Sequence, residues 1–228
     1  MWSLLIKHKK DDFDLEPTKM PGFDYHGKFK TIDLEQRGRV YILMYGDPIK
    51  DVASGYCDRH AVMMIDIMGH TDEEALRGYH IHLRSKHPIV RVDDSPIIYL
   101  SGRSHGVYKN DPKLRRFYDL GVVDLSNIRA KEGRKFIDIS SHFYELADTL
   151  FNKMCEEDGK VQYCELTGCD EKTCPHVVLW SGTINCQSFA SRMAKTLGLD
   201  QTQFMPGVQF KGMINAYMYA RKNPKDSS

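Results

Sequence analysis

The feature that most constrains the fold of this chain is the segment from Thr183 to Gly198, which has the periodicity of an amphipathic helix. Asn185 is a favoured N-cap residue, and Gly198 suits the left-handed residue that often ends a helix. The apolar residues recur at intervals of three and four: Cys186, Phe189, Ala190, Met193, Ala194 and Leu197. The sequence therefore predicts a helix that begins at Cys186 and packs one face against a core.

Cys186 falls in the first turn of this helix, where free backbone N–H groups and the positive end of the helix dipole stabilise an anion. The thiolate is the nucleophile of cysteine enzymes, and a helix N-terminus lowers the pKa of a cysteine. The position therefore favours a thiolate. The alternative is a small buried hydrophobe beneath the helix, which is how most free cysteines behave. A histidine base elsewhere in the chain would favour the catalytic interpretation.

The first half of the chain carries three runs that predict strands: Arg39–Tyr45, His60–Met68 and Gly78–Arg84. In the last run His80 and His82 share one face, and a hairpin with the preceding strand would bring His82 towards His60. Further short strands are predicted at 96–100, 106–109 and 177–180, with a helix at 141–154 capped by Ser140 or Ser141. These elements predict an α+β fold, an antiparallel sheet with packed helices.

The 228 residues suit one catalytic domain over 39–200, preceded by an irregular arm at 1–38 and followed by a C-terminal helix and tail at 201–228. Residues 110–132 are charged and poorly periodic, which indicates a surface insertion, most simply a solvated loop. A formal charge of +1 gives no electrostatic reason to expect nucleic-acid binding. No apolar run is long enough for a signal peptide or a bilayer span, so we expect a soluble, cytoplasmic protein with at most peripheral membrane contact through the C-terminal helix.

The residue types that suggest catalysis are those of Cys186, His60 and His82. A cysteine nucleophile needs an imidazole to take its proton, and that imidazole needs a partner that fixes its tautomer and orientation. A cysteine at a helix start and two histidines on neighbouring strands supply these types of side chain. His80 lies on the same strand face as His82 and is a rival for the orienting role.

Three short blocks, His60–Ile65, Gly78–Leu83 and Asn185–Phe189, resemble those of the permuted papain-like, NlpC/P60-related group. That group includes lecithin:retinol acyltransferase and the H-Ras-like suppressor phospholipase/acyltransferases. The resemblance implies a circularly permuted papain-like architecture, with His60 as base, His82 as orienting residue and Cys186 as nucleophile. It implies no cofactor for catalysis.

The resemblance also implies the type of reaction, a cysteine-dependent hydrolysis or acyl transfer through a thioester acyl-enzyme. The substrate would be an ester or amide, carried by an acyl lipid or by a peptide or other amide. Gln187 and Ser188 stand where the acyltransferases usually have an acidic residue and a histidine, so a cysteine peptidase or amidase is an alternative. A non-catalytic binding or regulatory protein on the same fold is another.

The loop 164–176 carries three thiols and one imidazole, interleaved with Gly and Pro: Cys164, Cys169, Cys174 and His176. This set could hold a structural zinc ion as a Cys3His site, although its spacing is not that of paired Cys-x2-Cys knuckles. A disulfide and free thiols are the alternatives. A closed four-ligand site would brace the loop before the Cys186 helix and would not take part in catalysis.

Overall fold

The structure is a computed structural model that describes residues 33–46, 60–85, 97–125, 136–161, 174–202 and 204. The described residues contain five strands: β1 Arg39–Tyr45, β2 His60–Asp66, β3 Ala75–Ser85, β4 Ile98–Tyr108 and β5 Leu114–Val122. They also contain a short 3-10 turn, Leu34–Gln36, and two helices, α1 Phe136–Glu157 and α2 Cys186–Thr196. All five strands precede both helices in the chain.

The strands form one antiparallel sheet in the order β4-β3-β2-β1-β5. β2 is therefore the central strand, and its register places His60 opposite Tyr45 of β1 and Met64 opposite His80 of β3. Helix α2 packs on β2 and β3, and α1 packs on β3 and β4. The predicted α+β fold with an antiparallel sheet and packed helices is confirmed.

The two faces of the sheet carry separate apolar clusters. On the helix side, Ala61, Met63 and Ile65 of β2 pack with α1 and α2, and all three are fully buried. On the opposite side, Val62 and Met64 belong to a second buried cluster with residues of β1, β3, β4 and β5. Burial on both faces explains why β2 is a continuous apolar run without alternation.

Strand β4 corrects the prediction of two short strands at 96–100 and 106–109, because Ile98–Tyr108 is a single strand of 11 residues. The intervening Gly and Ser residues do not break it, since every residue of β4 pairs with β3. Gly102 has no Cβ, and the space is occupied by Tyr79 and Tyr144. A Cβ there would lie 2.2 Å from the Tyr79 hydroxyl and 2.6 Å from the Tyr144 ring.

Strand β5 corrects the prediction of a charged loop at 110–132, of which 126–132 lies outside the described residues. Residues Leu114–Val122 form an edge strand that pairs with β1, with two shifts of register. Only Leu114 and Leu120 are buried, so the strand has too few core residues to show a period. The pairing with β1 stabilises it, and Arg39 contributes an ion pair to Asp119 at 2.7 Å.

Helix α1 begins at Phe136, so the predicted caps Ser140 and Ser141 lie inside the helix, and Ser140 is buried. The predicted strand at 177–180 consists only of isolated bridges from Val177 to Val161 and from Leu179 to Ile97. None of the helices in the described residues combines the length and the apolar character needed to cross a bilayer. Most of the arm at 1–38 and the predicted helix at 208–221 lie outside the described ranges.

Candidate active site

The start of α2 is fixed by Asn185, which is fully buried and caps the helix as predicted. Its side-chain oxygen accepts the backbone N–H groups of Gln187 at 3.1 Å and Ser188 at 2.8 Å. The Ser188 hydroxyl in turn accepts the Asn185 N–H, which completes a capping box. The Asn185 amide also donates to the carbonyls of Ser181 and Gly182, so it ties the helix to the loop before it.

Cys186 lies beneath this helix start, fully buried, and its Sγ accepts the backbone N–H of Ala61 at 3.4 Å. Burial raises the pKa of the Cys186 thiol to about 12, although the N–H groups of Ala61, Cys186 and Gln187 act in the opposite direction. The predicted thiolate is therefore not the resting form. Desolvation of the charged sulfur outweighs both the helix dipole and the three backbone donors.

His60 and His82 form a hydrogen-bonded pair across β2 and β3, with 2.6 Å between His60 Nε2 and His82 Nδ1. The ring centroids are 4.8 Å apart and the ring planes are tilted by 52°. His82 is buried, whereas His60 at the beginning of β2 is half-buried. The predicted hairpin thus brings the two predicted histidines together.

The hydrogen bond restricts the tautomers that can support catalysis. If His60 donates from Nε2, its Nδ1 is unprotonated and can accept a proton from a thiol, while His82 carries its own proton on Nε2. If His82 donates instead, His60 holds its proton on Nδ1 and cannot act as a base there. His82 Nε2 is buried without a hydrogen-bond partner among the described residues. Only the first tautomer pair leaves His60 ready to accept the thiol proton.

Both imidazoles are neutral at physiological pH. Burial lowers the pKa of His60 to about 4, and the positive charge of Arg84 acts in the same direction. Burial lowers the pKa of His82 to about 2, and the charges of His60, His80 and two arginines lower it further. A neutral His60 is the protonation state that a general base requires.

The thiol and the imidazole pair approach the sheet from opposite sides. Side chains alternate along β2, so His60 is on the same face as Val62 and Met64, which lies away from the helices. Cys186 belongs to the apolar cluster on the helix side. The two sides meet at the beginning of β2, where the sulfur contacts the amide that follows His60. His60 and Ala61 are adjacent in the chain, so the sulfur of the predicted nucleophile contacts the backbone beside the predicted base, while the imidazole lies on the other face of the sheet.

His80, the alternative candidate for the orienting role, contacts His105 instead of His60. It is buried on β3, and its ring packs edge-on against His105 of β4 with 5.2 Å between centroids. Within the described residues, the imidazole that bonds to His60 is that of His82. The geometry therefore favours His82 over His80 as the orienting residue.

The proposed zinc ligands are described only in part, because Cys164 and Cys169 lie outside the described residues. Cys174 Sγ and His176 Nδ1 are 3.9 Å apart, and Cys174 packs in a small apolar cluster with Ile97 and Val177. Among the described residues no group of three or more potential ligands is arranged for a metal ion. The zinc site stays a prediction.

Sequence reasoning missed the Ala61 N–H that contacts the sulfur, because a backbone donor leaves no signature in residue types. It also missed Arg84, whose charge acts on both histidines and whose place is set by the strand register. The arrangement consists of a buried thiol and a hydrogen-bonded pair of neutral imidazoles at the beginning of β2. Comparisons of the chain with protein-family models, with curated proteins and with solved structures found no match.

Proposed function

We propose that this protein is a cysteine-dependent hydrolase or acyltransferase that acts on an ester or amide through a thioester acyl-enzyme. Cys186 is the nucleophile, His60 the general base and His82 the orienting residue. The observation that carries the proposal is the 2.6 Å bond between His60 and His82 beside the contact of Cys186 Sγ with Ala61 N–H. What supports the proposal is that the histidine pair and the backbone contact of the sulfur both lie at the beginning of β2.

The proposal includes the circularly permuted papain-like architecture that the sequence resemblance implies. Two features of the chain support it. The strands that carry His60 and His82 precede the helix that carries Cys186, and that helix packs with its N-terminus against the strand of the base.

In the acylation step the Cys186 sulfur attacks the substrate carbonyl carbon, and a new S–C bond forms. Because the resting thiol is protonated, its proton moves to His60 Nδ1 as the attack proceeds, and His60 Nε2–H keeps its bond to His82 Nδ1. The tetrahedral intermediate then breaks its C–O or C–N bond. The leaving alcohol or amine takes the proton from His60.

In the deacylation step water, or an acceptor alcohol or amine, attacks the thioester carbon. His60 Nδ1 removes the proton of the attacking group, the S–C bond breaks, and the proton returns to the sulfur. The products are the free thiol and a carboxylic acid, ester or amide. The Cys186 backbone N–H already acts on the sulfur at the helix start, and it is the donor best placed for the oxyanion.

A non-catalytic binding or regulatory protein on the same fold is the second candidate. The observation that favours it is the complete burial of Cys186, together with the raised pKa of its thiol. In that case the two histidines serve packing and hydrogen bonding within the sheet, and the cysteine is a core residue.

Thiol labelling separates the two candidates, and Cys155 provides an internal control. Cys155 is also almost completely buried with a pKa raised to about 12, but it lies in α1 between acidic residues that raise this pKa further. We expect iodoacetamide to modify Cys186 faster than Cys155 and the other four cysteines at pH 7.5, as measured by peptide mass spectrometry. His60→Ala should suppress this labelling, while His142→Ala, at an exposed position, should not. Equal rates at Cys186 and Cys155 would contradict the enzymatic function.

The substrate class is tested by incubation with phospholipid vesicles and, separately, with short peptides and simple amides. An acyl adduct on Cys186 from phospholipid assigns a lipid acyl donor. An adduct from the peptide or amide assigns a peptidase or amidase. The Cys186→Ser variant is the matched control, because it should form no thioester with either substrate.

A further inference from the structure

The sheet face that carries the histidine pair also carries two arginines. Register places Arg103 of β4 opposite His80 and Ser101 opposite His82. Arg84 follows His82 by two positions on β3 and therefore lies on the same face. These residues surround His82 on the side of the sheet opposite the helices.

Arg84 and Arg103 are exposed and form no ion pair with any described residue. Three other arginines of the described chain do pair with a carboxylate: Arg39 with Asp119, Arg77 with Asp72 and Arg192 with Glu157. Two unpaired guanidinium groups next to buried imidazoles make an environment that repels protons and attracts anions.

The two arginines can act on one point. Arg84 and Arg103 stand on either side of the His82–Ser101 pair, four strand positions apart, which is about 13 Å along the sheet. Both of their charges lower the pKa of His82, so both lie within electrostatic range of that ring. Two long side chains directed inward from these positions would meet above His82 and Ser101.

Among the described residues, no carboxylate forms an ion pair with an arginine of this face. The charges that act on His60, His80 and His82 are those of arginines and of other histidines. Asp111 and Arg103 both act on the pKa of Tyr45, and the Asp111 carboxylate accepts the backbone N–H of Lys113. Buried His80 Nε2 and His82 Nε2 have no hydrogen-bond partner among the described residues.

We propose that this face is an anion-binding site, in which Arg84 and Arg103 hold a carboxylate or phosphate group beside His82. Guanidinium groups bind both kinds of oxyanion through paired N–H donors. This deepens the proposed function, on which it rests, by adding a site for an anion that acts on Cys186 through the imidazole pair, because the site lies on the face of the sheet away from the sulfur. The bound anion would also stabilise a proton on the imidazole pair and so make His60 a stronger base.

The test is a titration of the full chain with sodium phosphate and, separately, sodium acetate at constant ionic strength, with sodium chloride as reference. Ring ¹⁵N shifts of the histidines report binding. We expect saturable changes at His82 and His60, with pKa values that rise as the anion binds. Arg84→Gln and Arg103→Gln should each weaken binding about tenfold. Arg115→Gln, an exposed arginine on β5 at the other end of the sheet, should leave binding unchanged.

Tighter binding of phosphate would assign a phosphoryl group, and tighter binding of acetate a carboxylate. Shifts that do not saturate, or that are equal in all three arginine variants, would overturn the proposal. The Cys186→Ser variant should bind the anion as the natural chain does. If the natural chain binds the anion but Cys186 is labelled no faster than Cys155, only the thiol chemistry is rejected. If Cys186 is labelled faster than Cys155 but no anion binds, only the anion site is rejected.

Discussion

The backbone N–H of Ala61 donates to the sulfur of Cys186 at 3.4 Å, although 125 positions separate the two residues in the chain. This contact joins the first turn of α2 to the beginning of the central strand. The neighbouring His60 is held in turn by His82 at 2.6 Å. The position of the Cys186 thiol relative to the histidine pair therefore depends on the cap of α2 and on the register of β2 and β3.

The proposed role of His82 as the acceptor in its bond with His60 predicts a difference between two substitutions. His82→Ala removes the acceptor for His60 Nε2–H, so the labelling rate of Cys186 by iodoacetamide should fall by about tenfold to a hundredfold, equivalent to one hydrogen bond to a charged group. His82→Asn places an amide oxygen near the position of Nδ1 and should restore much of that rate. His105→Asn is the control on the neighbouring strand. Equal rates in the Ala and Asn variants would show that His82 does not orient His60.

The cap of α2 predicts a stability effect that accompanies a loss of reactivity. Asn185→Ala removes the acceptor for the N–H groups of Gln187 and Ser188 and should lower the free energy of unfolding by about 1–2 kcal/mol. Urea denaturation measures the change, and iodoacetamide labelling of Cys186 measures the displacement of the thiol. Asn152→Ala in α1 is the matched control, because Asn152 makes one side-chain hydrogen bond to Asp148 at the surface of the helix. Equal effects of the two substitutions would contradict a special role for Asn185.

Buried neutral histidines predict that the fold is sensitive to acid. Burial lowers the pKa of His60 and His70 to about 4 and that of His82 to about 2, and the pKa of His80 lies well below its usual value. Around and below pH 6.5 the unfolded chain binds protons that the folded chain excludes, so stability is present above pH 6.5 and falls as the pH drops towards 4. Each histidine contributes at most about 1.4 kcal/mol per pH unit, which gives about 7 kcal/mol for four between pH 6.5 and 5, since the unfolded imidazoles are half-protonated at pH 6.5.

Urea denaturation at pH 7.5, 6.5 and 5.5 tests this dependence on pH. The slope of stability against pH should fall by about a quarter in His80→Gln and stay unchanged in His142→Gln, since His142 is exposed. A free energy of unfolding that is constant from pH 7.5 to 5.5 would contradict the prediction.

The close approach of β2 and β3 predicts that Gly78 cannot be replaced. A Cβ at Gly78 would lie 2.4 Å from the Ile65 carbonyl oxygen and 3.0 Å from the Met64 side chain. Gly78→Ala should therefore cost about 1–3 kcal/mol of stability, because the strands must shift apart. Gly182→Ala is the control, because nothing lies within 4 Å of a Cβ there. Thermal denaturation compares the two, and a Gly78→Ala variant as stable as the control would show that the sheet tolerates the larger spacing.

The structural elements around Cys186, His60 and His82 that the sequence predicted correctly are those with local signals. Asn185 and Gly198 mark the ends of a helix through short-range backbone chemistry, and Gly198 does adopt a positive φ of 71°. His60 and His82 could be placed because each lies in a run with clear strand character.

The parts that the sequence could not predict depend on residues far apart in the chain. Strand β5 exists because it pairs with β1, and Gly102 of β4 is tolerated because Tyr79 and Tyr144 fill its space. The protonation state of Cys186 also escaped prediction. The helix start is visible in the sequence, but the burial that opposes its effect is a property of the whole fold.

The five strands of the described residues lie between residues 39 and 122, and helix α2 begins only at Cys186. Chains are made from the N-terminus and fold as they emerge, so these five strands leave the ribosome before Cys186 is added to the chain. The imidazole pair can form once β3 has emerged, whereas the contact between Ala61 and Cys186 requires translation beyond residue 186. A chain that is terminated before Cys186 would therefore contain the described strands and lack the proposed nucleophile.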